Sequence, residues 1–314
     1  MNPLTGLYGA ATNLRNTLFD RGVLSSRRLK QPVVSVGNLS VGGSGKTPFV
    51  IALGELLKAR GIRFDVLSRG YGRKTRGVLV VEPDSNAADF GDEPLLIARR
   101  LGVPVIVGES RYEAGRLAEQ KFQPQLHLLD DGFQHRSLAR DFDIVLMTEH
   151  DVEGRLLPSG RMREPLSSLQ RADAIVLPIG VAVDHPALKQ KPIWRIERQF
   201  VLPNPPAAPI VFCGIARPEQ FFSQVRAVGV TPAAEVRFRD HHAYDLDDIR
   251  SLISTRIKLA ADGFLTTEKD AINLAPDQHR LEPLAVAKLI LTIDRPADVV
   301  DTILARIAER KARS

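Results

Sequence analysis

Short runs of apolar, β-branched residues alternate along this chain with longer stretches whose apolar positions recur at helical spacing. Residues 32–36 (PVVSV) have the character of a buried strand, and residues 49–57 (FVIALGELL) that of a helix. Further apolar runs fall at 63–73 (RFDVLSRGYGR), 103–108 (VPVIVG), 125–132 (QLHLLDDG), 142–147 (FDIVLM) and 172–178 (ADAIVLP), most of them ending in turn residues. Strand and helix in alternation predict an α/β domain with a doubly wound, mostly parallel sheet. Ligands of such sheets sit beyond the carboxyl ends of the strands, so the residues just after each run are where chemistry is expected.

Two stretches stand outside this alternation. In residues 1–30, Leu4, Leu7, Tyr8, Ala11, Leu14, Leu18 and Phe19 recur at helical spacing, with no signal-peptide cleavage pattern and no run long enough to span a bilayer. Two arrangements satisfy this pattern: an amphipathic helix lying in a membrane interface, and a helix packed on the protein's own core. Residues 201–209 (VLPNPPAAP) are stiff and lack apolar periodicity, as linkers do. The expected organisation is therefore an N-terminal amphipathic helix (1–30), a P-loop core (31–200) and a second, smaller α/β domain (201–314).

Composition narrows the picture. A chain of 314 residues has the length of roughly two domains, and 44% hydrophobic with 25% charged residues is enough apolar material for a substantial core. The single cysteine, Cys213, excludes an internal disulfide and a multi-cysteine zinc site. The net charge of +6 is concentrated at the start, where Arg15, Arg21, Arg27, Arg28 and Lys30 face Asp20 alone. With the remainder nearly balanced, a nucleic-acid partner is not expected, and no obligate protein partner is evident.

The chemistry centres on residues 40–47, SVGGSGKT. A P-loop reads G-x-x-x-x-G-K-[ST]; Gly45, Lys46 and Thr47 satisfy it, whereas the first position is Ser40. The preceding strand and following helix give the required context, with Gly42, Gly43, Ser44, Gly45, Lys46 and Thr47 cradling phosphates at a helix N-terminus. Asp130 and Asp131 follow an apolar strand, where P-loop enzymes place metal-holding acids; a turn at Asp131-Gly132 accounts for one acid but not for two. Asp92 and Glu93 open a helix, where acids also serve simply to complement the dipole. Arg69 and Tyr71 in SRGYGR, and Arg111 in GESRYEAG, suit an anionic substrate or solvated loops equally. Of the adjacent His241 and His242, one can carry a proton or orient a carboxylate if the second domain folds over the phosphate site, though a loop histidine is more often plain surface.

Eight ordered segments between about residues 32 and 274 (VVSVGNLSVGGSGKTP, LSRGYGR, GDEP, LLDDGFQH, LLPSGRMREPL, FCGIARPEQFF, DHHAY and TTEKDAINL) together resemble the tetraacyldisaccharide 4'-kinase family. The family tolerates serine at the first P-loop position, and Arg161 stands where proline is common in it. The resemblance implies a P-loop kinase using ATP and Mg2+ to phosphorylate the 4'-hydroxyl of an acylated glucosamine disaccharide 1-phosphate in lipid A biosynthesis. It also implies a peripheral enzyme at the cytoplasmic face of the bacterial inner membrane, which favours a membrane contact by the N-terminal segment. By the same resemblance Lys46 and Thr47 take the phosphate and Mg2+ roles, Asp130 and Asp131 lie near metal and γ-phosphate, and Asp92 pairs with His241 in catalysis. Arg111, His135, Arg163 and Glu164 fall in matching motifs and join Arg69 and Tyr71 as candidate substrate residues. The alternative from another class is a membrane-associated P-loop switch ATPase or GTPase; those carry a lysine before the paired glycines, where this chain has Val41.

Overall fold

The structure, a computed structural model, describes residues 3–43, 45–275 and 277–312. Helix α1 (Pro3–Asp20) leads into β1 (Val33–Asn38), followed by α2 (Lys46–Ala59), β2 (Phe64–Ser68), β3 (Leu79–Val80), α3 (Ala87–Phe90), α4 (Asp92–Leu101), β4 (Val105–Val107), α5 (Arg111–Phe122), β5 (Leu126–Asp130), β6 (Phe142–Leu146) and β7 (Ala174–Pro178). The chain continues through β8 (Ile193–Val201), β9 (Ile210–Cys213), α6 (Pro218–Ala227), β10 (Ala234–Arg237), α7 (Leu246–Lys258), β11 (Phe264–Thr267), α8 (Glu268–Leu274), β12 (Leu284–Ile293) and α9 (Pro296–Ala312).

Among the described residues the strands form one twelve-stranded sheet in the order β10-β9-β11-β12-β8-β7-β6-β1-β5-β2-β4-β3. Strand β1 is central, paired in parallel with β5 and β6. Its residues are buried on both faces, which is why the segment reads as a mostly apolar run without alternation. Val34 and Val36 pack with Phe49 and Leu53 of α2, Leu95 of α4 and Ile303 of α9, whereas Val33 joins Ala114 and Ala118 of α5 on the other side. Helices thus cover both faces, and the fold is a doubly wound, mostly parallel α/β architecture.

The antiparallel pair β8 and β12 connects the two stretches of parallel sheet. Leu284 to Ala287 of β12 run parallel to β11, and from Lys288 onward the same strand runs antiparallel to β8. Beyond the proline-rich stretch, Val211, Phe222 and Leu265 form one core cluster, with Phe212, Ile249 and Phe264 in another on the opposite face. Helix α9 then returns to the first core, where Val299, Val300, Ile303 and Ile307 pack with α2 and α4.

Helix α1 lies on the protein by its polar side. Asn16 donates to Glu164 at 2.8 Å, Tyr8 donates to the carbonyl of Arg163 at 3.1 Å, and the Thr5 and Ser159 hydroxyls meet at 2.6 Å. Leu4, Leu7 and Leu14 remain 59%, 67% and 61% exposed, so these leucines face outward, whereas Tyr8, Leu18 and Phe19 of the same stripe are partly buried. No helix among the described residues is long and apolar enough to cross a membrane.

Candidate active site

A cleft of about 1230 Å³ opens at the carboxyl ends of β1, β2 and β5 and is bounded across its mouth by residues of β8, β12, α8 and the loops after β9 and β10. The phosphate loop forms its floor. Gly42, Gly43 and Gly45 have φ of 73°, 58° and 85°, a conformation that costs a glycine little and an L side chain much. Gly45 precedes α2 without any side-chain cap, so the helix start and its positive dipole end are presented to the cleft. Ser44 lies outside the described residues.

Lys46 reaches back to Asn38 Oδ1 at 3.0 Å and to Asp131 Oδ1 at 3.4 Å. Asp131, with φ of 48°, also accepts two bonds from Arg163, at 2.8 and 3.0 Å. Burial disfavours the Asp131 carboxylate, but the Lys46 ammonium and the Arg163 guanidinium outweigh it and hold the group well below the usual range. Asp130 is the reverse case. It is 2% exposed, its Oδ2 accepts from Ser68 at 3.1 Å, and burial, Glu93 and Asp131 push its pKa up to about 7. Its Oδ1 is buried without a protein partner. An orphaned carboxylate oxygen facing a phosphate loop fits a divalent cation, whose charge would remove the cost of ionising Asp130. Thr47, in the first turn of α2, lines the same cleft. Since no group of three or more His, Cys, Asp or Glu is gathered there among the described residues, such an ion depends on phosphate and water for its remaining ligands.

Asp92, in the lining of the same cleft, opens α4 and is 4% exposed. Its Oδ1 accepts from the Glu93 amide at 2.8 Å, and its Oδ2 is 2.8 Å from His241 Nδ1 and 3.4 Å from the Asn273 amide nitrogen. Burial raises the Asp92 pKa, but the His241 bond and the Lys269 charge prevail and keep it below the ordinary value. His241 is raised by its bond to Asp92, against burial and Lys269. The histidine comes from a strained loop: it has φ of 57°, and its amide donates to Gly214 at 3.1 Å. A Cβ at Gly214 would lie 2.8 Å from the Arg239 carbonyl and 2.9 Å from His242 Cβ, so this loop approach requires glycine. His242 turns away to Asp248, at 2.7 Å.

Most of the remaining residues singled out from the sequence line the same cleft. Arg69, Tyr71, Arg111, His135 and Arg163 are all on its wall. Arg111 is lowered to about 10 by burial and by Arg69, and burial together with Arg111 and Arg140 lowers His135 to about 4, leaving that imidazole neutral beside an arginine-rich surface. Tyr71 stands 5.2 Å from the His241 ring. Glu164 is placed elsewhere: it is 1% exposed and is held by Asn16 at 2.8 Å and Arg171 at 2.9 Å, which ties α1 to the body of the protein. Residue-by-residue reading missed Asn38, Lys269 and Asn273. The only sequence signals for them were the polar end of the VVSVGN strand and the TTEKDAINL segment.

The chain matches the family model described as tetraacyldisaccharide-1-P 4'-kinase over residues 1–308. It is 49% identical to a tetraacyldisaccharide 4'-kinase of Koribacter versatilis, over 99% of both chains. It is 40% identical to one of Aquifex aeolicus over 87% of this chain and 88% of that one. A solved structure of LpxK from Aquifex aeolicus in complex with ATP is similar to it with a TM-score of 0.80 and 35% identity, covering 97% of this chain and 98% of the other.

Proposed function

The chain belongs to the tetraacyldisaccharide-1-P 4'-kinase family, and from that premise we propose that it transfers the γ-phosphate of ATP to the 4'-hydroxyl of a tetraacylated glucosamine disaccharide 1-phosphate. The observation that carries this reading is that a phosphate loop and a 2.8 Å Asp92–His241 pair line one cleft. A switch ATPase needs the first but has no use for the second.

Phosphoryl transfer calls mainly for alignment and charge stabilisation. Lys46, released from Asp131 and Asn38 when phosphates enter, supplies a donor to the outer phosphate oxygens, and the glycine loop supplies amides. Mg2+, when bound through Asp130 and Thr47, supplies neutralisation of phosphate charge. Arg69 and Arg111 add positive potential where the anionic substrate and the phosphoryl group meet. Asp92 accepts the proton of the 4'-hydroxyl. The O–H electron pair forms the new bond to Pγ, and the oxygen bridging Pβ and Pγ leaves with ADP. ADP release measured in mixed micelles tests the reading: it should depend on the lipid acceptor and fall to background without it. Turnover indifferent to the lipid would restore the switch ATPase.

The outward leucines of α1 support a further part of the proposal, a peripheral seat on the cytoplasmic face of the inner membrane, where an acylated substrate resides. The helix is fastened by polar bonds and leaves its leucines to the bilayer interface. Arg27 and Arg28, of the basic cluster in residues 1–30, are partly engaged by Glu113 at 2.9 Å and Asp141 at 2.8 Å, so the exposed leucines carry most of the contact. Replacing Leu7 and Leu14 together by Glu should weaken binding to phosphatidylglycerol-containing vesicles at least about tenfold, given roughly 1.5–3 kcal/mol per buried leucine. Thermal stability should stay unchanged because both side chains are exposed in the free protein. Vesicle co-sedimentation and a melting curve check the two halves; unchanged vesicle binding would remove α1 from the interface.

A further inference from the structure

Helix α8 brings a lysine to the Asp92–His241 pair for which the kinase reading assigns no part. Lys269 Nζ lies 3.2 Å from Glu93 Oε1, 3.3 Å from His241 Nε2, 3.6 Å from Asp92 Oδ2 and 4.0 Å from Asp240 Oδ1. Its side chain is 19% exposed. The helix start that carries it is firmly held. The next residue, Asp270, is fully buried and accepts from the Gly214 amide at 2.8 Å, Tyr244 at 2.9 Å and Thr267 at 2.6 Å, while Glu268 meets Arg100 of α4 at 2.7 Å. Gly214 in turn accepts the His241 amide, so lysine and histidine are set by one network.

An ammonium donates and cannot accept. A ring nitrogen 3.3 Å from it therefore has to offer a lone pair, and the other ring nitrogen, 2.8 Å from an ionised carboxylate, has to carry the proton. We propose that Lys269 is a positioning residue that fixes neutral His241 as the Nδ1–H tautomer and limits its protonation, so that Asp92 alone receives the proton of the acceptor hydroxyl. His241 is faced by Asp92, Lys269, Asp240 and the Tyr71 ring; Asp92 is faced by His241, Lys269, the Asn273 amide and the Glu93 amide. Protonating His241 at Nε2 sets two cations 3.3 Å apart; the Asp92 bond outweighs burial and Lys269 and keeps the His241 pKa above the ordinary histidine value, while Lys269 holds it below what Asp92 alone would give. The proton thus passes from the 4'-oxygen to the Asp92 carboxylate and returns from there to solvent after product leaves. His241 orients the base and is not the terminal acceptor.

This inference rests on the kinase reading, and its test has a readout that does not. With 15N-histidine labelling and His241 assigned through His241→Asn, the intact protein should show Nδ1 protonated and Nε2 unprotonated once the pH is above the His241 titration, as at pH 9. Lys269→Met should move the His241 titration upward by about one to three pH units, since a like charge is removed. The imidazolium then pairs with Asp92 and weakens it as a base. kcat should fall roughly 10- to 100-fold at pH 6.5 and recover toward pH 9, because each pH unit by which the titration rises leaves about tenfold less neutral imidazole, with KM for ATP unchanged. Lys269→Arg should keep both the titration and the pH profile near those of the unaltered protein. An Nε2–H tautomer, an unmoved His241 titration in Lys269→Met, or a loss of kcat equal at all pH values would overturn the proposal. Absence of phosphorylated lipid with the unaltered protein would instead refute the kinase reading, and the titration would still stand as measured.

Discussion

Replacing Asp92 by Asn should lower kcat by roughly 10^2 to 10^4, the range for losing a general base. The substitution keeps size and shape, and the side-chain oxygen can still accept from the Glu93 amide, as Oδ1 does at 2.8 Å. It removes the second acceptor and the negative charge that meets His241. Lys269 retains Glu93 at 3.2 Å, so no buried ammonium is stranded and the fold should hold. ATP affinity should change little, because Asp92 and the partners it holds are not part of the phosphate loop. Calorimetric titration of ATP alongside single-turnover lipid phosphorylation separates the two effects; a kcat within a factor of about two of the original would take Asp92 out of the chemistry.

The second large effect is expected at Lys46. Lys46→Ala should reduce kcat by at least about 10^2 to 10^3, comparable to removing a principal donor to developing charge in other sites. Its removal leaves Asp131 paired with Arg163 at 2.8 Å, so the charge network relaxes without collapsing. Unlike Asp92→Asn, this variant should also bind ATP more weakly, since the ammonium contacts ground-state phosphates as well. Quench-flow kinetics and nucleotide titration would show both losses; retention of turnover would mean that the loop is not the phosphate site.

How far these residues were visible in the sequence depends on what makes them visible. Strands β1, β5 and β6 were legible because central parallel strands are buried on two faces and leave mostly apolar runs, broken only by single residues such as Ser35, His127 and Asp143. Strand β12 was not, since its change from parallel pairing with β11 to antiparallel pairing with β8 is set by partners far away in sequence. The return of α9 to the first core was hidden for the same reason. The helical spacing of the apolar residues in α1 was legible, but periodicity does not say which of them face outward. That depends on polar partners at Ser159, Arg163 and Glu164, which no local window contains.

The site divides along similar lines. The phosphate loop announces itself, because backbone geometry demands glycines and the anion demands a lysine at fixed spacing. Asp92 and His241 are far apart in the chain, and residue chemistry alone left each with an ordinary surface or capping role. Only the family resemblance joined them, and the structure now brings them to 2.8 Å. Lys269 had no such help. In sequence it is one lysine near the start of a short helix, and its importance appears only when α8 is laid against α4.

The most direct measurement is transfer of labelled γ-phosphate from ATP to tetraacyldisaccharide 1-phosphate in detergent micelles, with the position of the new phosphate read by 31P-coupled NMR. A product phosphorylated at the 4'-oxygen, formed in equal amount to ADP, is the expected result. Folded, ATP-binding protein that leaves the lipid unlabelled, or labels it at another hydroxyl, would contradict the kinase reading.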